Sequence, residues 1–320
     1  MGRSARRALR FLVAAGAAAG GSLLVPGTSA PADGSGLTSC SFAGNVLTVT
    51  VREGGIGEMK RAGPAIAVRE RDAGTRRCSG GDPTVLTTDT IKVVLRGVAF
   101  ADLHLGGGPF APGLTPEPDG AAEIEVEIAT DLGGLEVVGT AGADTWHWGP
   151  SGVNPALNLN PGEAQDRDVD VTVAGDDEAA VALYARGAGG DDTIIGAPGA
   201  TVRGVLTADG GPGDDVLRSP RIRGVVGQAG LLGGAGDDVL TGSGSHDDLS
   251  GGTGNDRIEG RGGADKISGG RGRDRLYGGA GADVIRSADL STDRVSCGPG
   301  HDRVHRDRRD RLTSCEDRRR

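Results

Sequence analysis

The chain has 320 residues, 60 of them glycine and only eight aromatic (four Phe, two Tyr, two Trp), with a formal net charge of -9. So few large side chains exclude a compact globule built on an aromatic core, and the acidity argues against nucleic acid as a partner. What remains is a chain of short strands and tight turns in thin layers, which is the composition of a solenoid.

The N-terminus reads as a secretory signal over residues 1–32. Arg3, Arg6, Arg7 and Arg10 precede an apolar, alanine-rich run from Phe11 to Val25, and small residues follow at Thr28-Ser29-Ala30 and Ala30-Pro31-Ala32. Cleavage after Ala32 is favoured over cleavage after Ala30, which would leave Pro31 just past the cut. The run is shorter than the roughly 20 residues a spanning helix needs, and no later stretch could cross a membrane. Removing it leaves 31 basic against 44 acidic residues, a net charge of -13 (35 - 4 = 31).

Residues 33–130 form a first β region. Ser41–Val51 reads as an alternating strand after a Gly44-Asn45 turn. Further strands are expected at Ala65–Glu70, Thr84–Leu86 and Thr90–Leu95, and Glu123–Ile128 alternates acid and aliphatic. Residues 106–113 and 116–120 are loops. No segment sustains a 3.6-residue period, so almost no helix is expected, and the strand spacing suggests irregular solenoid coils.

Residues 131–232 repeat a looser theme, glycine at the first and fourth places, Asp at the sixth and an apolar residue at the eighth. Gly139–Trp146 carries Asp144, Gly187–Ile194 carries Asp192, and Gly210–Leu217 carries Asp215. Gly224–Leu232 keeps the glycines but has Ala229 at the sixth place. Ser219–Arg223 breaks the register and is expected to bulge out.

From Gly233 to Arg286 the theme becomes strict. Six nonamers run without interruption: GGAGDDVLT, GSGSHDDLS, GGTGNDRIE, GRGGADKIS, GGRGRDRLY and GGAGADVIR. The sixth residue is always Asp: Asp238, Asp247, Asp256, Asp265, Asp274 and Asp283. The eighth is always aliphatic. Glycine accepts the conformations of a tight turn, and an aliphatic residue between polar ones makes a minimal half-buried strand. Two nonamers make one coil, so units two apart stack on one edge at roughly 4.8 Å. Carboxylates stacked that closely repel one another, and a hard cation between them converts the repulsion into binding.

This run resembles the RTX (repeat-in-toxin) nonapeptide, GGxGxDxUx, and the first region loosely resembles the leader of secreted actinobacterial RTX-type proteins. The resemblance implies an all-β fold: irregular N-terminal β-helical coils leading into an RTX parallel β-roll. It also implies Ca2+ held between turns by the sixth-place aspartates and turn carbonyls. Within the strict run the expected pairs are Asp238/Asp256, Asp256/Asp274, Asp247/Asp265 and Asp265/Asp283, with Asp144, Asp192, Asp215 and Asp302 in the looser copies.

Residues 287–320 are expected to close the array. Cys297–Val304 is a last partial copy carrying Asp302, and residues 294–320 hold nine arginines. Four cysteines fall as two local pairs, Cys40–Cys78 and Cys297–Cys315. Two disulfides are the economical reading in a secreted chain, because no CxxC spacing suggests zinc. A Cys297–Cys315 loop folded over the last coil is one role for the tail; contact with an acidic polymer or the cell envelope is the other.

Enzymatic readings find little support. Gly149-Pro-Ser151-Gly152 misplaces the second glycine of a nucleophile elbow, and the five histidines include no HExxH. Trp146-His147-Trp148 could stack on a sugar or simply pack locally. Asp166–Asp170 and Asp176–Glu178 are either extra calcium ligands or solvated loops. The expectation is a secreted, non-enzymatic, calcium-binding protein with a structural or adhesive role; the alternative is a calcium-dependent glycan-modifying enzyme or accessory module. The N-terminal signal departs from the uncleaved C-terminal signal typical of RTX export and puts a toxin role in doubt.

Overall fold

The computed structural model describes residues 38–62, 65–71, 74–84, 88, 90–104, 125–148, 156–158, 171–174, 180–196, 201–315 and 317–319. The expected signal peptide, the loops at 106–113 and 116–120, the Gly149–Gly152 turn and both acid-rich segments lie outside them. Among the described residues every regular element is a strand, and no helix is long and apolar enough to cross a membrane. The chain divides into two compact units, 1–140 with 153–184, and 141–152 with 185–320.

The first unit opens with a hairpin of β1 (Thr38–Ala43) and β2 (Val46–Val51). Gly44 and Asn45 both take positive φ, +56° and +66°, which suits a two-residue turn with the hand of the strands. An antiparallel meander follows: β3 (Ile56–Ala62), β4 (Ala65–Glu70) and β5 (Gly74–Arg76). The long β6 (Thr90–His104) then runs parallel to both earlier strands, pairing with β2 through its first half and with β3 through its second. On its other side lies β7 (Glu125–Val138), also parallel, with an irregularity between Leu95 and Val98. Residues 171–174 add a further parallel strand on β7. The core is therefore stacked in rows, such as Leu47–Ile91–Val126, each residue at most 2% exposed. The expected strand at Thr84–Leu86 reduces to one bridge from Thr84 to Ala65, since 85–87 lie outside the described residues.

The second unit is a stack of parallel strands in two ladders. One ladder runs Trp146–Ile194–Leu217–Leu240–Ile258–Leu276–Val295–Leu312 in register. The other runs Ala208–Leu231–Leu249–Ile267–Ile285–Val304. Strand partners in the strict run lie 18 residues apart, two nonamers, so a coil is two turns and two strands. The eighth-place residues Leu240, Leu249, Ile258, Ile267, Leu276 and Ile285 are at most 1% exposed, each burial contributing about 1.5–3 kcal/mol. Glycines at the second and fourth places turn the corners: Gly252 and Gly254 have φ of +119° and +139°. At both, an added Cβ would overlap a carbonyl of the coil before, Gly234 O or Gly236 O.

Two expectations need correction. Ser219–Arg223 does not bulge out: Ser219 is 5% exposed, its amide donates to Thr241 O (2.9 Å), and Ile222 pairs with Val202. The surplus falls later, because Arg203 pairs with Arg223 whereas Val205 pairs with Gln228. Isoleucine at 222 finds a place in the core, so the glycine-rich residues after it absorb the extra length. Nor does the tail fold over as a loop; strands at 294–296, 303–305, 311–313 and 317–319 extend the two ladders. Both expected disulfides form, with Cα–Cα separations of 4.6 Å for Cys40–Cys78 and 5.0 Å for Cys297–Cys315.

Candidate metal centre

The sixth-place aspartates stand where a turn meets a strand, and the stacking threads them into two columns. In the first, the backbone N–H of Asp144 donates to Asp192 Oδ1. The bond then repeats from Asp192 to Asp215, Asp215 to Asp238, Asp238 to Asp256, Asp256 to Asp274, Asp274 to Asp293 and Asp293 to Asp310, at 2.7–3.2 Å. In the second, Ala229 donates to Asp247, Asp247 to Asp265, Asp265 to Asp283 and Asp283 to Asp302, at 2.9–3.2 Å. Ala229 needs no carboxylate to take part, because the acceptor always belongs to the later coil.

Each carboxylate thus spends one oxygen on the ladder. The other, Oδ2, is buried without a hydrogen-bond partner at Asp192, Asp215, Asp238, Asp256, Asp265, Asp274, Asp283, Asp293 and Asp302. None of these nine residues is more than 1% exposed. A buried, unpaired carboxylate oxygen costs free energy unless a proton or a cation joins it. The first-place glycine explains where Oδ2 goes. A Cβ on Gly233, Gly251 or Gly269 would overlap the Oδ2 of Asp238, Asp256 or Asp274. The same vacant space at Gly251 lies 2.5 Å from Gly269 O, and at Gly233 2.6 Å from Gly251 O. Carboxylate and peptide oxygens therefore gather at each first-place glycine, the hard-oxygen donor set calcium prefers.

The electrostatics agree. Burial raises Asp192, Asp238 and Asp293 to about 7, Asp265 to about 8 and Asp256 to about 6, with neighbouring carboxylates adding to the shift. Asp215, Asp247, Asp274 and Asp283 are raised for the same first reason, burial. The columns are charge-frustrated, and a dication relieves both the desolvation and the mutual repulsion.

Not every expected residue is equivalent. Asp247 has both oxygens engaged, because Ser243 offers its amide (2.5 Å) and hydroxyl (3.1 Å) to Oδ2. Ser243 sits at the second place, where four of the six strict copies have glycine. Asp144 enters its column through its amide, as a donor to Asp192. Asp293 and Asp310 were missed. Asp293 follows a ten-residue interval in whose turn Leu290 takes the positive φ (+79°), while the carboxylate of Asp289 accepts from the amides of Gly272 and Ser291 (2.8 and 2.7 Å). The signal that could have found Asp293 is the Asp-x-aliphatic triplet Asp293-Arg294-Val295, which survives the slip in spacing. Trp146 is no sugar platform: it is 1% exposed and lies in the first apolar ladder.

Comparison with known proteins agrees with this geometry. The RTX calcium-binding nonapeptide repeat of the HemolysinCabind family matches in four copies, over residues 184–201, 231–258 and 250–285. No curated protein and no solved structure matches the chain.

Proposed function

We propose that this chain, which carries RTX calcium-binding nonapeptide repeats, is a secreted structural or adhesive protein whose aspartate columns hold Ca2+ between coils. The observation that carries the reading is the set of nine buried, unpartnered Oδ2 oxygens. Asp192, Asp215, Asp238, Asp256, Asp265, Asp274, Asp283 and Asp302 are the proposed ligands, joined by Asp293. Asp247 contributes less while Ser243 occupies its second oxygen, and Asp144 opens the column. When bound, calcium supplies the positive charge that the buried carboxylates lack. The residues themselves bridge successive coils through Oδ1 and seat Oδ2 in the space that the first-place glycines leave.

The domain reading goes with it: a cleaved signal at 1–32, an N-terminal β region at 33–130, looser coils at 131–232, the regular roll at 233–286 and a terminal segment at 287–320. Two disulfides suit an oxidising exterior. One observation favours contact with an acidic extracellular polymer. Exposed Arg257, Arg275, Arg294 and Arg311 stand in consecutive register on one sheet, a basic row on an acidic protein.

The test is far-UV circular dichroism and calorimetry on the mature chain in EDTA and with added calcium. The proposal expects β signal to rise with calcium and several ions to bind per chain. A full β signal in EDTA that calcium leaves unchanged, with no heat of binding, would sink it.

A further inference from the structure

The first unit holds a different cluster of ligand-type side chains. Strand register sets it: Glu58 of β3 pairs with Asp102 of β6, and Asp102 pairs with Glu136 of β7. Three carboxylates therefore stand in one row across three parallel strands. His104 lies two residues beyond Asp102 on the same face of β6. Ligand atoms of Glu58, Asp102 and His104 all lie within 4.8 Å of one another. Asp102 and Glu136 are 1% and 4% exposed; Glu58 and His104 are partly exposed and open the cluster to solvent.

Arg71 is the cation at hand. Its amide donates to Ile56 O (3.0 Å), which anchors it beside the row. Its guanidinium bonds Asp102 Oδ2 and, at 3.3 Å, Glu58 Oε1. That leaves Asp102 Oδ1 and Glu58 Oε2 as the oxygens that can turn to a further partner.

We propose that Glu58, Asp102 and His104 form a second metal site, chemically distinct from the aspartate columns, that takes a divalent transition metal of the Zn2+ class. An imidazole with two carboxylates is a poor set for calcium, which wants six to eight oxygens, and a fitting one for zinc. Bonds of about 2.1 Å put tetrahedral ligands about 3.4 Å apart, so the three groups need close by about an ångström through side-chain rotation. Arg71 stays in place and orients both carboxylates from behind, the part outer-shell partners play at metal sites. A water completes the set.

The test is Co2+ and Zn2+ binding to the full-length, disulfide-bonded protein in saturating calcium, which occupies the columns. The proposal expects one equivalent of Co2+, with the visible absorption of a tetrahedral N/O site, displaced by one equivalent of Zn2+. His104→Gln and Glu58→Gln, both at partly exposed positions, should each lower affinity at least tenfold while the calcium response persists. Asp102→Asn serves as a third variant if it folds. Absence of stoichiometric uptake overturns the site and leaves an Arg71 ion-pair network. Uptake that survives His104→Gln overturns it too, by placing the ion on other histidines.

Discussion

The amide of Asp256 donates to Oδ1 of Asp274, 18 residues later, at 3.0 Å, while Oδ2 of Asp274 is buried with no partner. The two oxygens of one side chain thus have separable duties. An asparagine keeps an acceptor for the ladder and removes the charge. Asp256→Asn with Asp265→Asn should therefore fold more readily in EDTA than the parent and lose most of the calcium response. Asp256→Ala with Asp265→Ala loses the ladder bonds as well, at about 1 kcal/mol or more for each orphaned buried amide. Calcium titrations followed by circular dichroism separate the two. A parental calcium midpoint in the asparagine pair would falsify the ligand assignment.

The raised aspartates give a pH signature. An acid whose pKa is higher folded than unfolded holds its proton more tightly in the folded state. The contribution to metal-free stability is then fully present below about pH 4, the ordinary carboxylate range, and is lost as pH rises through the folded values of about 6 to about 8. In EDTA the melting temperature should be higher at pH 5 than at pH 8, and the gain from calcium larger at pH 8. An EDTA melting temperature that climbs from pH 5 to pH 8 contradicts the assignment.

Ser243 closes Asp247, so Ser243→Gly should reopen it. The expected result is tighter calcium binding on the second column, or one further ion per chain, by calorimetry. Unchanged isotherms would mean that the serine contacts give way to calcium unaided.

Arg261 occupies the second place of its nonamer at φ +74°, where Gly234, Gly252, Gly270 and Gly279 also have positive φ. A non-glycine residue in the left-handed region costs about 1–2 kcal/mol, partly offset by the entropy glycine loses on folding. Arg261→Gly should stabilise the calcium-bound form by about 0.5–1 kcal/mol in urea denaturation. A loss of stability would show that the arginine side chain contributes more than its backbone costs.

The Cys297–Cys315 bridge links two successive coils, with the Cys297 amide on Thr313 O at 3.2 Å. Replacing both cysteines by alanine should cost about 3 kcal/mol, as expected for a loop of this size. Hydrogen exchange should quicken first at 303–305 and 311–313. Uniform exchange along the array would indicate that the bridge does not pin that end.

Much of the second unit was legible because its contacts are periodic: glycine, Asp and aliphatic at fixed places dictate turn, column and core in turn. Legibility ended where the spacing changed. Asp293 lies 19 residues after Asp274, so a strict step of nine passes it by. The surplus residues near Arg223 could not be placed from composition, because the position of Ile222 in the core decides where the chain swells. The Glu58–Asp102–His104 cluster was invisible for another reason. Its members come together through the register of β3 on β6, strands whose paired residues are 44 apart, and no local pattern encodes that.

The Oδ1 ladder has a direction. Every amide in it is satisfied by a side chain that comes later in the chain, never earlier. The buried sixth-place amide of a coil is therefore latched only when its successor arrives, whereas the exposed fifth-place amides of Asp214, Asp237 and Asn255 donate to side chains one coil earlier, Asp191, Asp214 and Asp237. Removing a coil from the C-terminal side strips the latch from its predecessor, whereas the N-terminal start tolerates Ala229 at no cost to the bond. Unzipping should accordingly begin from the C-terminal end, which is the end the second disulfide holds.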